Sequence, residues 1–408
     1  MNLPKFYTKK LKNQLEIVAI PMNKGSDVVS TNIIYKVGSR NEIMGKSGIA
    51  HMLEHMNFKS TKNLAEGEFD KIVKSVGGVD NAFTSFDYTQ YFIKSASRHL
   101  EKNLSLFAEV MENLKLTDEE FQRERKVVYE ERLWRTDNNP LGYLYFRLFN
   151  NSYLYHPYHW TPIGFKEDIL NWSIEDIREF HNTFYQPQNA VIVVAGDIDK
   201  DEVFKIAKEK FSRIKNTKKI PKVHQIEPPL DGDKKVILHK ETELEMVAIA
   251  YHIPNFAHDD ITTLSALSEL LSQGKSSILN KKLIYDKELV NQIYAYPMDN
   301  MDNGLFLILA VCNPEIKAEI VEKEIKKILQ NYKISKKQLK KLKLNTKMDF
   351  ITSLESSDST SQLFGSYFAK GNITPLLEYE EKINNLSIDK IMDMKKYFEK
   401  SISVILKK

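Results

Sequence analysis

The sequence predicts an α+β protein of two related domains, each a mainly antiparallel sheet covered by helices. A chain of 408 residues exceeds one ordinary hydrophobic core. Segments with strand and helix patterns alternate along it, and their order recurs after a stretch rich in Lys and Pro. We therefore expect a first domain at 1–213, a linker at 214–235 and a related second domain at 236–408.

The elements of the first half can be placed from their periodicity and turn residues. Two β-rich strands, at 14–24 and 28–37, are separated by a Lys-Gly-Ser turn. Alternating residues predict further strand segments between 79 and 95, and Ala190–Ala195 reads as a buried strand. Helical periodicity or helix boundaries predict helices within 48–61 and at 66–76, 98–114, 117–135, 173–186 and 200–213.

Composition excludes several classes of protein. The net charge of +4 is small and Lys and Glu are interspersed, so nothing calls for a nucleic acid or an anionic membrane as partner. The single cysteine, Cys312, rules out an internal disulfide and cysteine-based metal sites. No secretory signal or apolar window of membrane-spanning length is recognisable, so a cytoplasmic location is expected.

The candidate site is an H-x-x-E-H motif in the apolar stretch that follows Gly48. His51 and His55 are four residues apart, so on a helix both imidazoles project from one face and can meet one metal ion. Glu54 lies at the edge of the same face. A carboxylate there can take the proton of a water that zinc activates for attack on a carbonyl.

Two interpretations of this motif compete. The first is an exposed helix with two histidines and a Glu in a surface salt bridge. The flanking residues favour the second, a metal site, because they are apolar and predict a largely buried helix: Ile49, Ala50, Leu53, Met56 and Phe58. Buried imidazoles beside a buried carboxylate are costly unless a cation satisfies them.

A zinc site with two histidines needs one more protein ligand and an open position. The helix predicted at 117–135 offers Glu124, Glu130 and Glu131. The residues alone do not choose among them, since a surface salt bridge explains any one of the three.

Further segments extend the pattern in a fixed order: Gly38–Glu42, Gly48–His55, Gly77–Ser85, Tyr185–Asn189 and Ala195–Asp197. With them the chain resembles the pitrilysin-like inverzincins, zinc metallopeptidases, and in particular short bacterial relatives of the mitochondrial processing peptidase subunits. The resemblance implies the LuxS/processing-peptidase type of fold and a Zn²⁺ cofactor. It also implies that Glu131 is the third zinc ligand and that Glu124, seven positions earlier, supports the site.

The resemblance also implies how substrate binds. Family members add an extended peptide to a sheet edge beside the zinc, and Asn81 and Ala82 are the matching positions. Asn81 has a plainer interpretation as a turn residue after Gly77 and Gly78.

One departure from the family concerns a clamp on the substrate. Members that complete their own sites carry an Arg and a Tyr, seven apart, in the second domain, where Ile284 and Asn291 stand here. Tyr285 is nearby but out of register. We therefore expect a zinc endopeptidase acting on peptides or small unfolded polypeptides in a two-subunit chamber. It forms either a heterodimer with a similar subunit that supplies the clamp or a homodimer with some substitute. The alternative is a largely non-catalytic core subunit of the same fold.

Overall fold

The computed structural model describes residues 3–408, and these form two β-sheets with helices packed against them. The first sheet has the strand order β1-β2-β6-β3-β5-β4, in which all neighbours are antiparallel except β2 and β6. Its strands are β1 Tyr7–Lys10, β2 Glu16–Pro21, β3 Val28–Tyr35, β4 Val79–Thr84, β5 Thr89–Ala96 and β6 Ala190–Gly196.

The second sheet has the order β7-β11-β8-β10-β9, with one parallel pair, β7 and β11. Its strands are β7 Lys234–His239, β8 Met246–Ile253, β9 Val290–Pro297, β10 Gly304–Cys312 and β11 Ile402–Lys407. Without β1, the first sheet has this same order and the same strand directions, so the two sheets are repeats. The predicted fold class is confirmed.

Fifteen α-helices occur in the described part of the chain. They are α1 Ile49–Met56, α2 Glu68–Ser75, α3 Leu100–Asn113, α4 Asp118–Arg132, α5 Pro140–Ser152, α6 Lys166–Asn171, α7 Ile174–Phe184, α8 Lys200–Phe211, α9 Asp260–Ser272, α10 Ala318–Asn331, α11 Lys336–Ser353, α12 Ser357–Ala369, α13 Thr374–Leu377, α14 Tyr379–Asn384 and α15 Ile388–Asp393. The helix predicted at 117–135 differs at its end, because π-helical turns follow α4 over Leu133–Asp137.

Each sheet has a helix from the other half of the sequence on one face. Helix α12 packs on β3 and β6, where the Ser361 hydroxyl lies 3.0 Å from that of Ser30. Gly365 lies so close to the sheet that a Cβ there would be 2.2 Å from Ile34 Cδ1. Helix α5 packs on β8 and β11 in the same way. Covering on both faces explains why β6 and β8 are nearly continuous apolar runs. Strand β3 is also buried over most of its length, although it carries Ser30, Thr31 and Asn32 in its middle.

The chain divides into two compact units, and each unit includes one of these two helices from the other half of the sequence. One unit comprises residues up to 130, 160–224 and 351–376, and the other comprises 131–159, 225–350 and 377–408. The predicted ranges 1–213 and 236–408 are continuous, and so they differ from these units at α5 and α12. They stay a proposal for the extent of the two repeats.

Two expectations about apolar segments can be compared with the structure. Cys312 is buried at the end of β10, and burial raises the pKa of its thiol to about 12. Over residues 3–408, no helix combines the length and the apolar character needed to cross a membrane.

A buried histidine makes stability depend on pH. The ring of His181 in α7 stacks on Tyr185, and burial lowers its pKa to about 4 against a hydrogen bond with Asn182 that raises it. The unfolded chain protonates this imidazole below about pH 6.5 whereas the folded chain keeps it neutral, so stability falls from about pH 6.5 towards 4. His181→Gln should lose less stability over this range, by about 1–3 kcal/mol, in urea unfolding at both pH values.

The exposed His239 provides a control for this measurement, because His239→Gln should follow the wild type at both pH values. An equal acid-induced loss of stability in wild type and His181→Gln would contradict the assignment.

Candidate metal centre

Helix α1 is fixed at its first residue by backbone geometry. Gly48 precedes it with φ +84°, a conformation that favours glycine, and a Cβ there would lie 2.7 Å from the carbonyl oxygen of Ile163. The positive φ angle and the close contact with Ile163 explain why glycine occupies position 48. Any larger residue would strain the start of the helix that carries both histidines.

The same helix end is capped by the buried carboxylate of Glu42. Glu42 Oε2 accepts hydrogen bonds from Gly48 N at 2.8 Å and Trp160 Nε1 at 2.7 Å, and Oε1 accepts one from Ala50 N at 2.8 Å. Burial raises the pKa of Glu42 to about 8, while these three donors act to lower it. Backbone N–H groups that the helix leaves without an internal partner are thereby satisfied directly before His51.

The predicted burial of α1 is confirmed. Its core-facing side chains are all at most 2% exposed: Ile49, Ala50, Met52, Leu53 and Met56. His51 and His55 are half-buried, with ring centroids 4.7 Å apart at an interplanar angle of 75°. One turn of helix thus holds two imidazoles side by side.

Glu131, in the last turn of α4, completes a group of three. One ligand atom from each of His51, His55 and Glu131 lies within 4.8 Å of the others. In residues 3–408, no other cluster of His, Cys, Asp or Glu has three such atoms together. Two imidazole nitrogens and one carboxylate oxygen form a donor set that fits zinc with an open position.

Glu124 lies beside the cluster of His51, His55 and Glu131, and it contacts His55 rather than His51. Its Oε1 is 2.7 Å from His55 Nδ1, and its Oε2 is 2.7 Å from the ammonium of Lys59. Burial acts to raise the pKa of Glu124, but the hydrogen bonds from His55 and Lys59 outweigh it and the pKa lies below its usual value. An ionised Glu124 can accept the His55 Nδ1–H and so direct the other ring nitrogen towards a metal.

Glu54 points to the edge of the first sheet. It is 8% exposed, and its Oε2 accepts a hydrogen bond from the hydroxyl of Thr84, the last residue of β4. Strand β4 pairs only with β5 among the described strands, so its other side is an open edge. Glu54 is thereby held next to a strand edge.

Asn81 and Ala82 both lie on this edge strand, β4. Asn81 is exposed, and its Oδ1 accepts a hydrogen bond from Ala82 N at 2.9 Å. Ala82 packs partly against the core and pairs with Tyr91. The turn interpretation of Asn81 is therefore wrong, because the residue lies within a strand.

Three contacts of the site were not predicted from the sequence. They are those of Glu42 with the start of α1, Thr84 with Glu54 and Lys59 with Glu124. Lys59 follows His55 by four residues, a helical spacing that could have drawn attention to it. Thr84 carries no local signal of its role, because it lies 30 residues from Glu54. Glu42 caps backbone groups only six and eight residues away, but no periodic pattern indicates this contact.

Comparison with known proteins identifies the family. A model described as insulinase (peptidase family M16) matches residues 17–150, and one described as peptidase M16 inactive domain matches residues 171–345. The chain is also 49% identical to a zinc protease PqqE from Helicobacter pylori, over 99% of this chain and 93% of that protein. The chain belongs to the peptidase M16 family.

Other M16 relatives agree with the predicted resemblance, which is confirmed. The chain is 25% identical to the mitochondrial-processing peptidase subunit beta of Bos taurus, over 99% of this chain and 84% of that one. A crystal structure of a protease from Helicobacter pylori matches with a TM-score of 0.97 at 47% identity, covering all of both chains. A structure described as peptidase M16 inactive domain, from Pseudomonas fluorescens, shares the fold with a TM-score of 0.88 at 17% identity, covering 98% of this chain and 97% of that one.

Glu131→Gln tests the metal centre of this M16 protein. The amide is a poor replacement for a carboxylate ligand, so zinc content should fall from about one per chain to near zero after dialysis. Metal content is measured by atomic emission on the purified variants. Glu130→Gln, one residue away, serves as the matched control and should retain its zinc. Full zinc content in Glu131→Gln would contradict the assignment of the ligand.

Proposed function

We propose that this chain is a zinc metalloendopeptidase of the inverzincin type that hydrolyses peptides or small unfolded polypeptides. The observation that carries the proposal is that Glu131 of α4 lies together with His51 and His55 of α1, the helix that also bears Glu54. Relatives named zinc proteases support the choice of metal and reaction.

The proposed roles follow from chemistry and position. His51, His55 and Glu131 hold zinc, which when bound lowers the pKa of a water in the open position towards ~7. Glu54 is the general base that takes the proton of this water and later delivers it to the leaving amine. The Thr84 hydroxyl donates a hydrogen bond to Oε2 of Glu54 and so helps to fix the orientation of this carboxylate.

The proposed substrate site is the open edge of β4. An extended peptide that pairs with this edge gains main-chain hydrogen bonds with little dependence on its sequence. Asn81 and Ala82 lie on the strand and would contact the peptide, and Thr84 at its end joins the edge to Glu54. This arrangement suits an unfolded polypeptide better than a folded one, because only an extended chain can add to a sheet.

A partner subunit is part of the proposal. Ile284 lies in a π-helical turn and Asn291 on β9, at the positions where the resemblance expects Arg and Tyr. The loss of one oxyanion donor can lower a rate by ~10²–10³. We infer a heterodimer in which a similar subunit supplies the clamp and the two enclose a chamber, with a homodimer as the competing arrangement. The relative named subunit beta of a processing peptidase supports a multi-subunit assembly.

A second candidate function is a largely non-catalytic core subunit. It is favoured by the missing clamp and by the name of the family model that matches residues 171–345, peptidase M16 inactive domain. The three ligands and Glu54 favour the enzyme instead, because a purely structural subunit has no use for them. The cytoplasmic location stays a prediction.

Glu54→Gln separates the two candidates. The amide cannot accept the proton of the attacking water, so hydrolysis of a quenched fluorogenic peptide should fall by ~10²–10⁴ while zinc content stays unchanged. Both quantities are measured on the same preparations. If the zinc-loaded wild type hydrolyses no peptide, alone or with its partner, the core-subunit function is the correct one.

The need for a clamp gives a further prediction. Adding a subunit of similar length that carries the Arg and Tyr should raise kcat/KM of the purified chain by ~10²–10³. The assay is peptide hydrolysis against the molar ratio of the two chains, with a saturation point expected at equal amounts. Full activity of the purified chain without any added subunit would contradict the heterodimer.

A further inference from the structure

Arg135 lies one helical turn beyond Glu131 and contacts it. Its Nε is 2.9 Å from Glu131 Oε1, so the guanidinium binds one of the two oxygens of the carboxylate in the metal-ligand cluster. The side chain of Glu131 is 16% exposed, whereas that of Arg135 is 63% exposed. A largely buried carboxylate is therefore approached from its solvent side by a cation.

An ordinary surface pair away from the site provides the comparison. Arg98 and Asp27 have the same contact distance of 2.9 Å, but their side chains are 67% and 60% exposed and neither belongs to the cluster. Pairs of that kind contribute little to stability because water and salt screen both charges. The pair of Arg135 and Glu131 differs because Glu131 is largely buried and also belongs to the cluster with His51 and His55.

The backbone that carries Arg135 is fixed by its packing. It lies in the π-helical segment Leu133–Asp137, a kind of irregularity that is frequent at functional sites. A Cβ on Gly142 would lie 2.0 Å from the carbonyl oxygen of Arg135, so only glycine permits the close approach of α5.

The buried side chain of Arg132 holds the same turns from within. Its guanidinium lies 3.9 Å from the ring centroid of Phe146 and binds Asp137 at 3.0 Å. The π-helical turns are therefore held from two sides, and Arg135 starts from a defined position next to Glu131.

We propose that Arg135 is a positioning residue that makes Glu131 a one-oxygen ligand. A carboxylate can bind a metal through both oxygens, which would occupy the position that the reaction needs for water. With Oε1 held by the guanidinium, Glu131 would offer a single oxygen to the metal and would leave a coordination position for water. This inference rests on the proposed zinc role of Glu131 but does not depend on peptide hydrolysis.

The test compares Arg135→Gln, Arg135→Lys and the control Arg98→Gln in the full-length protein. Zinc affinity, measured by competition with a chromophoric chelator, should weaken by ~10–100-fold in Arg135→Gln, because Glu131 loses the contact that orients its carboxylate, and by less in Arg135→Lys, which keeps the charge but not the planar fork. Arg98→Gln should bind zinc as the wild type does. Melting temperatures in excess chelator should be alike for all four proteins, since the pair acts on the metal site rather than on folding.

Cobalt substitution reports the coordination directly. Wild type loaded with Co²⁺ should show the strong visible absorption of four-coordinate cobalt, and Arg135→Gln should show the weaker bands of a higher coordination number. Unchanged zinc affinity in Arg135→Gln, or an equal loss in Arg98→Gln, would overturn the proposal. Failure of wild type to bind zinc would overturn both this inference and the proposed function, whereas a zinc-binding wild type without peptidase activity would overturn the function alone.

Discussion

The fixed placement of helix α1 is the constraint on which the site depends. Its apolar face is buried in the core of the first sheet, and its first turn is held by Gly48 and by the carboxylate of Glu42. Two imidazoles one turn apart then have little freedom left to lose when they bind a metal. Because ordering costs free energy, a site built on such a helix binds more tightly than the same residues on a mobile loop.

Each carboxylate near the histidines has a different partner, and this separates their tasks. Glu124 contacts Lys59 and His55, Glu131 contacts Arg135, and Glu54 accepts from the neutral hydroxyl of Thr84. Cations neutralise the two carboxylates proposed to hold or orient ligands. The one proposed as general base accepts a hydrogen bond from a hydroxyl, which fixes its orientation. Three acidic groups can therefore share a small volume without being equivalent.

The sequence predicted the parts of this site that are local and left out those that are distant. Helical spacing brings His51, Glu54 and His55 together, and apolar neighbours indicate that their helix is buried. The shared face of these residues and the burial of the helix could therefore be predicted from the sequence. Periodicity cannot show which glutamate of α4 reaches the histidines, and the assignment of Glu131 came from the resemblance. The contact of Thr84 with Glu54 and the packing of α12 on β3 join residues far apart in sequence, and no periodic pattern reports such a pairing.

The exchange of α5 and α12 between the two halves also governs how the chain is made. The strands of the first sheet are all synthesised by residue 196, yet the helix on their second face begins only at residue 357. During translation the face of β3 and β6 that α12 covers, which includes Ile34 and Val193, stays open to solvent or to a chaperone until this helix has been synthesised. Helix α1 and the strands that it packs on thus emerge early from the ribosome, but the second face of their sheet is covered only after α12 has followed.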